Sequence, residues 1–367
     1  MRIAIILGTR PEIIKMSSVI RECSARGVDH FILHTGQHYA HTLDAIFFNE
    51  LELVPAKYNL DVGSSTHAEQ TARMLVGIEQ TLLGEKPDIV LVQGDTNTVL
   101  AGALAAAKLH IKVGHVEAGL RSYDRSMPEE INRTVADHVS DHLFAPTERA
   151  EHILLNEGLP AERISVTGNT IVDAVHENLQ IAQRKASILD KLSLQERQYL
   201  VLTAHRQENV DIQDRLTGIL HGLELTYQEH RLPIVYPIHP RARKQMSEFG
   251  FAFPDGVMAI EPLGYLDFLQ LEAHAALLLT DSGGIQEEGC ILQVPCVTLR
   301  DNTERPETLE VGSNALAGTT PERILELVGE MLNKDRDWEN PFGDGKAGER
   351  IVDVVVHGKA NAGPKDV

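Results

Sequence analysis

With 367 residues, the chain is too long for one ordinary domain of roughly 150 residues, so two cores are expected. Hydrophobic residues make up 43% and charged residues 24%, with proline and glycine scattered, which is a globular rather than a disordered profile. The formal net charge of −19 argues against sequence-independent binding to nucleic acid, which needs a basic surface to displace counterions from phosphates.

An anionic ligand would then require a local basic cluster, set apart from the average surface by screening over roughly 8 Å. Cys23, Cys290 and Cys296 lie in apolar segments without paired spacing, as expected of buried thiols in a reducing, cytoplasmic compartment. The opening MRIAIILGTRPE has an apolar run too short for a signal peptide or a membrane span, so it reads as a first strand and no membrane association is expected.

Short apolar runs then alternate with amphipathic stretches, the pattern of strands and crossover helices in a parallel sheet. In chain order the predicted strands are Ile3–Leu7, Phe31–His34, Ile89–Val92, Val113–Val116, Leu143–Ala145 and Ile164–Val166. A long helix from Thr170 to Ala186 leads into a second set: Tyr199–Thr203, Ile234–Pro237, Met258–Ile260, Ala276–Thr280 and Cys296–Leu299. The expected fold class is therefore α/β, with two Rossmann-like domains. The first spans 1–170, the second 171–347, and 348–367 supplies a final helix and tail.

In open parallel sheets, ligands bind beyond the carboxyl ends of the strands. The residues just past the apolar runs are unusually polar. Gly8-Thr9-Arg10-Pro11-Glu12 follows the first strand, with Lys15 one turn further on. Gln93-Gly94-Asp95-Thr96-Asn97 and Glu117-Ala118-Gly119-Leu120-Arg121 follow the third and fourth predicted strands. In the second half come His205-Arg206, His239 with Arg241, and Asp281-Ser282-Gly283-Gly284.

Ser282-Gly283-Gly284 is either a plain tight turn or a place where backbone amides approach a phosphate at a helix N-terminus. Neither the GxGxxG dinucleotide fingerprint nor the GxxxxGK[ST] phosphate loop is present, which lowers nicotinamide-dependent and ATP-hydrolysing readings. Arg10 falls in the turn ahead of Pro11 and there shares a face with Lys15. Arg305, between Glu304 and Pro306, is either a phosphate ligand or the partner of a carboxylate. Asp95 and Glu117 end strand runs, and Glu129 opens a helix after Pro128, with Arg133 four residues later on the same face. Carboxylates converging on one site can keep one member protonated and another ionised, which suits proton transfer. His34, His38 and His41 have suggestive spacing but no accompanying cysteine or carboxylate motif, so no metal site is expected.

Taken together, GTRPEIIK (8–15), QGDTNT (93–98), GHVEAGLRS (114–122), PEEINR (128–133), TAHRQEN (203–209), LTDSGGIQEE (279–288) and RDNTERPE (300–307) resemble the non-hydrolysing UDP-N-acetylglucosamine 2-epimerases. The resemblance covers nearly the whole chain. It implies a glycosyltransferase-B type fold, two Rossmann-like domains facing a central cleft, with a final helix near 348–356 returning to the first domain. It implies nucleotide and diphosphate contacts from Arg10, His205, Phe268, Ser282, Gly283, Gly284, Glu288 and Arg305. Around the sugar it implies Lys15, Asp95, Glu117, Glu129 and Arg133.

The implied catalytic groups are Asp95, Glu117, Glu129 and His205. The implied ligands are UDP-N-acetylglucosamine and UDP, without a cofactor or a metal, in a homodimer. The implied reaction is anti elimination of UDP to a 2-acetamidoglucal, followed by readdition to the opposite face. Bacterial relatives with substrate-driven allostery carry Gln-His-Arg after the second strand, whereas this chain has Gln37-His38-Tyr39, so weak or absent allosteric activation is expected. A glycosyltransferase of the same fold, a non-catalytic sensor of nucleotide sugars, and an epimerase for a diacetamido uronic acid derivative are the competing readings.

Overall fold

The computed structural model describes residues 1–36 and 41–358, except for the side chains of 41–45. Within this range each predicted apolar run becomes a strand, because a run flanked by amphipathic helices satisfies its backbone in a sheet and hides both of its faces. The strands are β1 (Arg2–Leu7), β2 (Asp29–His34), β3 (Tyr58–Asn59), β4 (Ile89–Gln93), β5 (Lys112–Val116), β6 (His142–Ala145) and β7 (Ile164–Val166). They are followed by β8 (Leu200–Thr203), β9 (Ile234–Pro237), β10 (Val257–Ile260), β11 (Leu277–Thr280), β12 (Cys296–Thr298) and β13 (Asn314–Leu316).

The first sheet runs β3-β2-β1-β4-β5-β6-β7 and the second β10-β9-β8-β11-β12-β13, with every pairing parallel. Burial follows: Ile3 through Leu7 are wholly inaccessible, and so are Leu277 through Leu279. Two strands had no counterpart in the sequence reading, β3 and β13. Both sit at sheet edges, and each short stretch includes an asparagine, so neither registers as an apolar run.

By contact the chain forms two units, Met1–His176 with the stretch from Phe342, and Glu177–Pro341. Each is built on its own sheet. The division at 176/177 and 341/342 compares with the expected 170/171 and 347/348, and local hydrogen bonds account for the offset. Asn169 N–H donates to the Phe342 carbonyl at 2.9 Å, and Gly348 N–H donates to Asp173 Oδ1 at 2.8 Å. The first turns of the helix Thr170–Lys185 are thereby tied to the returning segment. The last helix, Ala347–His357, lies on the first, Arg10–Ala25.

In both sheets strand order reverses between the first and fourth members, at β1/β4 and at β8/β11. At such a switch point the loops leaving adjacent strands diverge to opposite faces and open a crevice at the carboxyl ends. The polar segments after β1 and β4, and after β8 and β11, are the ones singled out from the sequence. Cys23, Cys290 and Cys296 are buried and not in disulfides. No described helix is long and apolar enough to cross a membrane.

The contact between the first and last helices is close at one position. A Cβ on Gly348 would lie 2.9 Å from Ser18 Oγ and 3.0 Å from its Cβ. Gly348→Val is expected to cost roughly 1–3 kcal/mol through overpacking, read as a lowered midpoint in urea denaturation.

Candidate active site

At the first switch point the helix Arg10–Ala25 starts directly after β1, capped by Thr9 and with Pro11 in its first turn. Glu12 is 2% exposed and its carboxylate collects four donors. These are the N–H groups of Gly8 (2.6 Å) and Thr9 (2.7 Å), Thr9 Oγ1 (3.1 Å) and Thr96 Oγ1 (2.6 Å). Thr96 caps the helix that follows β4, so this one carboxylate joins the two diverging loops. Burial pushes its pKa up to about 7 against the pull of those donors. The Arg10 guanidinium lies 5.5 Å from the centre of the Phe47 ring, within cation–π range.

Lys15, a turn into that helix, places Nζ 2.7 and 2.8 Å from the two carboxylate oxygens of Glu117. Gln93, the last residue of β4, donates to Glu117 as well. Glu117 is 8% exposed and its backbone sits in the left-handed region at φ 70°, an unusual conformation for a residue with a side chain. The turn continues through Gly119 at φ 85°, where a Cβ would come within 2.4 Å of the Ala150 carbonyl oxygen. The chain is thus forced round sharply at the end of β5, and this aims Glu117 at Lys15.

Asp95 is bound to Arg133, which projects from the helix Pro128–Val139. Asn132 on the same helix donates to the Asp95 carbonyl at 3.0 Å and to Asn97 Oδ1 at 3.2 Å. Glu129 lies in the first turn of this helix, partly exposed. Its neighbour Glu130 is buried and accepts from Ser122 N–H, Ser122 Oγ and Tyr123 N–H at 2.8–3.0 Å, which ties the preceding loop to the helix. Lys15, Asp95, Glu117 and Arg133 are therefore assembled as two acid–base pairs at the carboxyl ends of β4 and β5.

The second unit repeats the arrangement with different residues. Asp281, after β11, is fully buried and accepts from the N–H groups of His205 (3.0 Å) and Arg206 (2.9 Å), from Asn209 Nδ2 (3.2 Å), and lies 3.1 Å from His205 Nδ1. Burial alone would raise its pKa, but the His205 side chain and the two backbone donors hold it below the ordinary value of 3.8. The loops after β8 and β11 are joined through this carboxylate as Glu12 joins those after β1 and β4.

Ser282 caps the helix Gly283–Ile291. A Cβ at Gly283 would sit 3.6 Å from Glu304 Oε2 and one at Gly284 3.8 Å from Ser282 Oγ, so packing does not demand glycine at either position. Arg305 pairs with Glu287 at 2.7 Å, and Glu288 is buried on the same helix. Phe268, on the helix Tyr265–Ala273, packs partly buried against the core beside β8 and β11.

The structure thus groups Lys15 with Glu117 and Arg133 with Asp95, and groups His205, Ser282, Gly283 and Gly284 after β8 and β11. Arg10 departs from the expectation: it is the first residue of the helix rather than part of the turn ahead of it, so it sits about 140° round the axis from Lys15, over the Phe47 ring, and the two do not share a face. Sequence reasoning gave no role to Glu12, Asp137, Glu130, Asp281 or Glu287. Asp137, Asp281 and Glu287 resembled ordinary helix or loop acids because their side-chain partners are distant in sequence, and Glu12 and Glu130 because their nearby donors are brought round by turns that no local pattern announces. Among the described residues no cluster of three or more histidines, cysteines or acids could hold a metal. Residues 37–40 and the His41 side chain lie outside the described residues, and with them the histidine spacing and the stretch tied to allostery.

Doubled all-parallel sheets with acids, cations and a glycine-bearing helix start at their switch points define the class: an α/β protein of glycosyltransferase-B type. The model of the family described as UDP-N-acetylglucosamine 2-epimerase matches residues 21–356. A UDP-N-acetylglucosamine 2-epimerase of Methanocaldococcus jannaschii is 54% identical over 366 residues, covering 98% of this chain and 100% of that protein. The crystal structure of the M. jannaschii enzyme in complex with UDP-GlcNAc and UDP superimposes with a TM-score of 0.86 at 55% identity, over 98% of this chain and 100% of that one. A UDP-2,3-diacetamido-2,3-dideoxy-D-glucuronate 2-epimerase of Pseudomonas aeruginosa is 42% identical over 97% of this chain and 99% of its own length. The chain belongs to the UDP-N-acetylglucosamine 2-epimerase family, and is an isomerase.

Asp281 provides a stability test. Its folded pKa is depressed, so its contribution is complete above the unfolded pKa and is lost as pH falls through that value toward the folded one. Asp281→Ala is expected to cost about 3 kcal/mol at neutral pH, because the donors around it lose their acceptor, and the deficit should shrink below about pH 4. Urea unfolding of both proteins from pH 7 to 3 measures it.

Proposed function

We propose that the chain interconverts UDP-N-acetylglucosamine and UDP-N-acetylmannosamine by inverting carbon 2 of the sugar, supplying a precursor for cell-surface polysaccharide. In the proposed path a base removes the carbon 2 proton while the bond from carbon 1 to the β-phosphate oxygen breaks. A double bond forms between carbons 1 and 2, and UDP leaves with the electron pair. UDP then re-adds to carbon 1 of the 2-acetamidoglucal, and a proton reaches carbon 2 from the opposite face. No carbonyl acidifies that proton, so the leaving diphosphate must be stabilised as its charge develops.

The observation that carries this reading is the paired arrangement of Lys15 with Glu117 and Arg133 with Asp95 at one switch point, in a chain whose relatives act on this substrate. Asp95, Glu117, Glu129 and His205 are assigned the proton transfers, each positioned group typically contributing 10² to 10⁴-fold. Arg10, Lys15, Arg133, Phe268, Ser282, Gly283, Gly284, Glu288 and Arg305 are assigned to substrate. Gly283 and Gly284 support the diphosphate assignment, since the backbone there is unobstructed and opens a helix.

Incubation with UDP-N-acetylglucosamine in heavy water, followed by proton NMR, tests the proposal. The manno epimer should appear and both epimers should gain deuterium at carbon 2; transfer to an acceptor would leave that hydrogen in place. Absence of epimer and label would sink the proposal. Glu117→Gln should lower turnover by about 100-fold or more while UDP binding by calorimetry stays within about twofold.

A further inference from the structure

Behind the acids lies a charge cluster that the proposed chemistry does not use. His115 is on β5, two residues before Glu117, and is wholly buried. Its Nδ1 is 2.6 Å from Asp137 Oδ1, and its Nε2 is 2.8 Å from the Gly94 carbonyl oxygen. The other oxygen of Asp137 accepts from Arg121 Nη1 at 2.7 Å and Gly119 N–H at 3.2 Å, and Arg121 also binds Glu157. Asp137 and the buried guanidinium head of Arg121 have essentially no solvent to share their charge with.

Hydrogen-bond bookkeeping fixes the state of the ring. A carbonyl oxygen has no proton to give, so Nε2 must be the donor to Gly94. Asp137 is engaged by a guanidinium and an amide N–H on its second oxygen, which keeps it ionised, so Nδ1 must also donate. An imidazole with two N–H groups is an imidazolium. The cluster is then balanced: His115 and Arg121 against Asp137 and Glu157, with the Glu117–Lys15 pair on the other side. The electrostatics agree. Burial pulls the imidazole's pKa down, but Asp137, the Gly94 carbonyl and Glu117 outweigh it and leave it raised. Burial would raise Asp137, yet His115 and Arg121 hold it lowered.

The three segments this cluster joins carry the proposed proton-transfer acids of the first unit. Gly94 precedes Asp95, Gly119 closes the turn that holds Glu117, and Asp137 lies on the helix that bears Glu129 and Arg133. We infer that His115 is a positioning residue of this site: held as a buried imidazolium, it ties the Asp95 loop to Asp137 and so sets the spacing of Asp95, Glu117 and Glu129. Both of its ring nitrogens are engaged away from the substrate groups, so it acts through the backbone at Gly94 and through Asp137. Its effect on turnover rests on the proposed epimerase reading, but its protonation state does not.

Both parts can be measured on the intact chain. In nitrogen-15 correlation spectra at about pH 7.5, with His115 assigned through bonds to its own backbone, both ring nitrogens should be protonated; in Asp137→Asn the ring should be neutral at the same pH. His115→Gln should lower kcat roughly ten- to a hundredfold, while KM and UDP affinity stay within about twofold, as expected when acids are misplaced by a fraction of an ångström and the nucleotide contacts are spared. A singly protonated His115 in the wild-type chain, or a His115→Gln variant with kcat within about twofold of wild type, would overturn the inference. If wild type forms no epimer, the proposed function fails and the spectrum still decides the state of the ring. Because that readout uses wild type, it survives a variant that does not fold.

Discussion

A carboxylate withdrawn from water must keep a cation or several N–H donors beside it, and the strand ends of both units are built around that requirement. Glu117 has Lys15 and Gln93, and Asp137 has His115 and Arg121, while the part-exposed Asp95 is paired with Arg133. In the second unit Asp281 has His205 and two backbone N–H groups, and Glu287 has Arg305. Because each pair links residues on different segments, neutralising the charge also fixes the loops. The pairs hold the switch points in place even though a surface loop would otherwise be the least ordered part of an α/β unit.

The pairing also changes what the net charge of −19 means for an anionic substrate. Lys15 and Arg305 already have carboxylate neighbours, so they do not present bare positive charge. In the proposed reaction, affinity for a diphosphate would come from donor geometry at the Ser282-Gly283-Gly284 helix start and from directional N–H groups, more than from a positive field.

Apolar runs of three or more residues were legible as strands in the sequence because both faces of a parallel sheet are covered, so their composition is nearly continuous. Tyr58–Asn59 and Asn314–Leu316 were not, since each holds an asparagine and only one or two apolar residues, although the edge strands Ile164–Val166 and Val257–Ile260 were found. Residues immediately after strands were legible as a site because topology puts them there. Asp137 was not: its sequence position announces a helical acid, and its meaning comes from His115, twenty-two residues earlier on a strand. Glu12 is similar. Its place in the polar segment after the first strand was visible, whereas its bond to Thr96, from another loop, is invisible without the fold. The unit division at His176 depends on Asp173 meeting Gly348, a contact no local pattern encodes.

The two glycines at the start of the helix Gly283–Ile291 have a consequence for how this protein tolerates change. Nothing in the surrounding protein crowds a methyl group at either site, and helical residues gain stability when glycine becomes alanine, by roughly 0.5–1 kcal/mol each. Directed evolution scored only on heat resistance would therefore drift toward alanine at 283 and 284. With the diphosphate role proposed for this turn, those lineages would become hardier while losing their grip on the nucleotide, so thermostability screens on this chain need a binding readout alongside the melting curve.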